Sequence, residues 1–139
     1  MPPSKEYRME PKELLRVVAL HKGKVKPVEF RMREGEIGLS LFARAERPSA
    51  TDVVDAVRAM GKQGDLAIAV ISAREITALG LSIVRTPGGT PVPEVNAIHF
   101  EARLPFLRSL LVRLRGTALH EYFNHQFSDR LFEVAQVLQ

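Results

Sequence analysis

Hydrophobic positions along the chain switch between a period of two and a period near 3.6, and the switches mark out its elements. Leu66-Ala-Ile-Ala-Val-Ile71 is apolar on both sides, as a central strand must be when both faces of its sheet are covered. Val28-Glu-Phe30-Arg-Met32-Arg and Ile37-Gly-Leu39-Ser-Leu41-Phe-Ala43 alternate instead, the mark of strands with one face in water. With the Glu34-Gly35 turn between them they predict an antiparallel hairpin. From Ser49 to Gly61 the stripe Val53, Ala56, Val57, Met60 recurs at i, i+3, i+4 and i+7, which predicts a helix. Ser49 or Thr51 can cap it, and Asp52 suits its positive end.

Ser72-x-x-Glu75 has the form of a capping box, and Gly80 fits the left-handed exit of a short helix. Leu81 to Arg85 resumes the sheet. After a Pro/Gly-rich loop, Thr86 to Glu94, a last strand is expected from Val95 to about Glu101. Helices are expected from Pro105 to Arg115 and from Ala118 to Leu138. Residues 11–22 fit a helix opened by Pro11 and stopped at Gly23, or a strand over Arg16–His21; the pattern leaves both open.

Together these elements predict a single α+β (α/β) domain over residues 11–139, preceded by a tail at residues 1–10. Its sheet is expected to be mixed and of about five strands, with connecting helices and a helical C-terminal third packed on one face. A chain of 139 residues can bury roughly two-thirds of its unfolded surface, enough for a core without staples. The absence of cysteine excludes disulfides, thiolate metal sites and cysteine nucleophiles. The opening residues lack the apolar run of a signal peptide, and no window reaches the ~18 apolar residues of a membrane span, so the cytoplasm is the expected compartment.

The net charge of +4 is mild, but its basic residues cluster. Lys22, Lys24, Lys26, Arg31 and Arg33 crowd one segment. Arg103, Arg108, Arg113 and Arg115 share another, with no acid between Glu101 and Glu121. Either patch can attract phosphates or an acidic partner. Phe106, Leu107, Leu110, Leu111 and Leu114 add a wide apolar stripe to the second, giving a basic amphipathic helix at 105–115.

Other candidates are narrower. The 86–94 loop, with Gly88 and Gly89 at its bend, lacks the lysine and following helix of a phosphate loop; its prolines make it a stiff contact surface. In a strand, His99 and Glu101 share one face, where a carboxylate can orient an imidazole for acid/base work. Ser40 lacks the Gly-x-Ser-x-Gly elbow and reads as a small residue opposite the leucine face, so serine catalysis is not expected. His120 and His125 are five apart, about 140° round a helix, which is wrong for a metal. No metal or cofactor is called for.

The leading expectation is a small cytoplasmic binding or adaptor domain in a protein assembly. It would contact a protein partner, or a second copy, through helix 105–115 and loop 86–94. The alternative is an enzyme acting on a phosphate-bearing substrate, a nucleotide or RNA. There His99 would be the acid/base, Glu101 its orienter and Asn96 a substrate ligand, while Arg31, Arg33 or Arg103 would bind phosphate. No helix-turn-helix, aromatic RNA-binding strand or zinc finger is present, so nucleic acid would be held through basic segments alone. A concave site at His99 favours the enzyme, a convex one the binder.

Overall fold

The computed structural model describes residues 11–138; the tail expected at residues 1–10 lies outside them. Six strands form one open sheet: β1 (Glu13–Ala19), β2 (Leu39–Ala43), β3 (Leu66–Ser72), β4 (Ser82–Arg85), β5 (His99–Arg103) and β6 (Gln136–Leu138). Their order is β4-β5-β2-β1-β3-β6, and every neighbouring pair is antiparallel. The α+β class and single domain are as expected; the sheet has one strand more than expected and is antiparallel rather than mixed. Helices α1 (Ala50–Ala59), α2 (Ala73–Ala78) and α3 (Pro93–Asn96) precede β3, β4 and β5. Then come α4 (Phe106–Leu114), α5 (Leu119–Phe123) and α6 (Asp129–Val134), the last two joined by a π-helical turn at Asn124–Ser128.

Both faces of the sheet are covered. Leu14, Val18, Leu41, Ala69 and Ile71 pack under Phe123, Phe127 and Leu131 of the C-terminal helices. Leu15, Val17, Phe42, Ile68 and Val70 pack under Val53 and Ala56 of α1 and Val95 of α3. This explains the two-sided apolar run of β3 and settles residues 13–19, whose full register with β3 makes them a strand. Ser49 forms a reciprocal capping box with Asp52, whereas Ser72 makes only the forward bond, from the Glu75 amide.

Three expectations are corrected. Residues 28–33 form no hairpin strand: Pro27–Phe30 is a 3₁₀ turn with proline at its start. The alternation is nevertheless real, since Phe30 and Met32 are buried while Arg31 and Arg33 are exposed. In place of a partner strand, Asn124 lends its amide: the Met32 N–H donates to its Oδ1 (2.7 Å) and its Nδ2 donates to the Met32 carbonyl (2.9 Å). Second, the last long strand starts at His99 rather than Val95, because Pro93 opens α3 first. Third, the chain leaves the helical conformation at Ala135, and Gln136–Leu138 pairs with the outer edge of β3. Among the described residues, no helix is long and apolar enough to cross a membrane.

The Asn124 clip gives a direct test. Asn124→Ala strands the Met32 backbone groups, so a loss of about 1–3 kcal/mol in denaturant unfolding is expected. Amide exchange at Met32 should rise with it.

Candidate functional site

The site begins where two strands part. β1 and β2 pair only at Leu14–Ala43 and Leu15–Phe42. Beyond that point Arg16, in the middle of the apolar run Leu14-Leu15-Arg16-Val17-Val18, fills the gap. Its Nε donates to the Glu29 carbonyl (2.6 Å) and its Nη1 to the Ser40 carbonyl (2.8 Å). Glu29 completes the repair of the unpaired edge: its Oε1 accepts from the Ala19 amide (2.7 Å), its Oε2 meets His21 Nε2 (2.9 Å), and Lys62 Nζ lies 3.4 Å from Oε1. The parted strands floor a concave cleft of about 460 Å³. Val57, Met60 and Lys62 at the end of α1 form one wall, the 31–36 segment a second, and Gly89 and Thr90 a third.

The cleft is electropositive. Arg16, Arg31, Arg33 and Lys62 line it, against Glu36 and Glu101. Glu101 is already taken, its Oε1 lying 2.7 Å from Arg103 Nη2. Glu36 accepts from the backbone amide of Arg33. Arg31 and Arg33 form no ion pair among the described residues. Burial lowers the Arg16 pKa to about 10, against the pull of Glu29 and Glu36, and Arg33 lowers it further. Burial also lowers Lys62, with Glu29 opposing and Arg16 and Arg33 adding to the depression. Burial is the larger cause of both depressions and the neighbouring cations add to it, while Glu29, 3.4 Å from Lys62 Nζ, opposes it.

His99 sits on the floor, only 8% exposed, with Phe42 edge-on at 5.1 Å. It is not lost among aliphatic side chains, because both ring nitrogens have polar partners. Nδ1 lies 2.7 Å from the Thr86 carbonyl and 2.9 Å from Thr86 Oγ1. A carbonyl can only accept, so Nδ1 carries the proton. Nε2 lies 2.5 Å from Ser40 Oγ, and in the neutral ring it is the acceptor of that hydroxyl proton.

The loop wall is held by a second asparagine. Asn96 Oδ1 accepts from the Thr90 amide (2.7 Å) and hydroxyl (2.6 Å), and its Nδ2 donates to the Thr90 carbonyl (2.8 Å). The Gly88 amide donates to the Asn96 carbonyl (3.1 Å). Gly88 and Gly89 both have positive φ, which lets the bend close over this side chain.

The predicted site residues therefore divide. His99, Glu101, Arg31, Arg33 and Gly89 meet in the cleft. Glu101 shares the His99 face but pairs with Arg103, so the Thr86 carbonyl, not Glu101, orients the imidazole. Asn96 and Gly88 hold the loop from behind and do not line the cleft. Arg103 and Arg113 border a separate groove beside α4; Arg108 lies near Gly80, and Arg115 follows the end of α4. Sequence reasoning missed Arg16, Lys62 and Thr86, and it weighed Ser40 only as a small residue opposite the leucine face, whereas Ser40 lines the cleft. A lone arginine inside an apolar strand was a readable signal for the first. The others had none, because their roles depend on contacts between distant segments. Among the described residues, no three His, Asp or Glu side chains gather as a cation site.

Two outcomes follow from this geometry. Burial alone would raise the Glu29 pKa, but the Ala19 amide, His21 and Lys62 together hold it below its ordinary 4.5. Its contribution to stability is therefore complete above about pH 4.5 and is lost as pH falls through the lowered value. Glu29→Gln should cost about 1.5–3 kcal/mol in urea unfolding at pH 7, and the difference from wild type should shrink toward pH 3. Asn96→Ala should speed exchange of the Thr90 amide while leaving exchange in β1 and β3 unchanged.

No protein-family model, curated protein or solved structure matches the chain, so the reading of its function rests on the geometry of this cleft.

Proposed function

We propose that this domain is an enzyme for a phosphate-bearing small substrate, of nucleotide size, bound in the cleft with His99 as the acid/base. One observation carries the reading: Arg16, Arg31, Arg33 and Lys62 converge on a single concave space above a histidine whose tautomer is fixed. A volume of about 460 Å³ suits a ligand of that size. The exposed guanidinium forks of Arg31 and Arg33 suit phosphate oxygens, while Val17, Phe42, Val57 and Met60 offer apolar surface to a ring.

Calorimetric titration with ADP and with inorganic phosphate tests the reading. Binding should weaken with salt and fall at least tenfold, about 1.4 kcal/mol, in Arg31→Ala/Arg33→Ala. An anion would also lift the Lys62 pKa back toward 10.5, so binding in alkaline buffer should take up protons. No heat or thermal shift with millimolar ADP or phosphate would remove the proposal.

A second reading, a partner-binding adaptor, is favoured by α4. Phe106, Leu107 and Leu114 are 79%, 72% and 74% exposed, and only Val112 on that helix is buried. Arg108, Arg113 and Arg115 flank the stripe without a neighbouring acid. A symmetric contact between two copies would set these arginines against each other, so an acidic amphipathic segment of another protein suits the face better. Light scattering should then show a monomer. A Leu/Glu amphipathic peptide should bind the wild type and lose affinity in Leu107→Asp; a dimer or an indifferent peptide overturns this reading.

A further inference from the structure

We infer that Ser40 is a nucleophile activated by His99, and that the cleft transfers a phosphoryl group through a covalent phosphoserine. The inference rests on the phosphate reading of the cleft for its substrate class, but not for the reactivity of the serine.

Three features distinguish this pair from a hydroxyl that merely satisfies a buried ring. The first is direction. With Nδ1–H committed to the Thr86 carbonyl at 2.7 Å, the lone pair of Nε2 faces the Ser40 hydroxyl at 2.5 Å. This is the base–nucleophile–orienter arrangement of hydroxyl activation, with a main-chain carbonyl as the third member. The second is rigidity. The ring is wedged against Phe42, Thr86 Oγ1 adds a contact at 2.9 Å, and Arg16 fixes the Ser40 carbonyl. The third is access. Ser40 lines the cleft together with Arg16, Arg31, Arg33 and Lys62, so the hydroxyl faces the space where an anionic substrate would be neutralised.

The chemistry balances without a co-reactant other than water. Ser40 Oγ attacks phosphorus; the Oγ–P bond forms and the bond from phosphorus to the leaving oxygen breaks. The hydroxyl proton passes to His99 Nε2 and from there to the leaving oxygen. Water then attacks the phosphoserine, giving a proton to Nε2, and the Oγ–P bond breaks as Ser40 takes that proton back. The arginines and Lys62 neutralise the non-bridging oxygens in both steps. No Gly-x-Ser-x-Gly elbow is needed, since the sheet itself presents the serine: Ser40 is paired with Glu101, two residues along the ladder and on the same face as the Phe42–His99 pair.

The test uses the intact protein and an alkyl fluorophosphonate, followed by intact mass and peptide mapping. One label per chain is expected, on Ser40, and none in Ser40→Ala. The wild-type labelling rate should rise with pH through a single ionisation, and His99→Gln should slow it about 100-fold, the lower end for a general base. Labelling elsewhere, no labelling, or a wild-type rate indifferent to pH would overturn the dyad, and the pH profile decides even if His99→Gln fails to fold. ADP titration of Ser40→Ala separates the two proposals. Retained binding without wild-type labelling sinks only the nucleophile. Labelling without any ADP binding leaves the nucleophile standing and sinks the phosphate substrate class.

Discussion

The rest of the cleft depends on one half-buried arginine. A six-stranded sheet closed by regular ladders would leave no hollow between β1 and β2, and the hydrogen bonds of both strands would be spent on each other. Here the ladder stops after two residue pairs, and Arg16 bridges the parted backbones by donating to the carbonyls of Glu29 and Ser40. Leaving strand edges unpaired inside a protein is expensive, so the gap survives only because side chains replace the missing bonds. Arg16 covers the carbonyls and Glu29 takes the Ala19 amide. The same guanidinium fixes the main chain of Ser40, which ties the floor of the cleft to the break that creates it.

The walls obey the same economy. The 31–33 and 86–92 segments are irregular, and each is held by an asparagine acting as a one-residue strand: Asn124 for Met32 and Asn96 for Thr90. Both clips act on the backbone, so the Arg31 and Arg33 side chains stay unengaged and, with the Gly89 backbone, line the cleft from fixed positions. Held this way, the cations that line the cleft keep their backbone positions without a ligand, so the cost of ordering these segments is met at folding. The exposed apolar face of α4 is independent of this device.

Several elements were legible because their causes are local. The helix at 50–59 follows from a four-residue stripe and a serine cap; β3 follows from an apolar run; the exit at Gly80 follows from its positive φ. The errors share a cause as well. Alternation at 28–33 reports burial of every second residue and does not say what supplies the hydrogen bonds; a side chain from 92 residues away did so. Pro93 started a helical turn where a strand was expected, and Gln136–Leu138 became a strand because β3 had a free edge to fill. His99 and Glu101 do share a face, but the nearest acid in sequence was not the orienter.

Periodicity, caps and turn residues are properties of neighbouring residues, and they determined the α+β class, most helices and strands, the cysteine-free chemistry, and the basic and apolar character of α4. Strand order, the parting of β1 from β2, and the meeting of Ser40, Thr86 and His99 are decided by pairings across tens of residues, which no local pattern encodes. Charge could be counted along the chain, but its effect depends on distance and burial. Only the folded sheet could turn four scattered cations into one field.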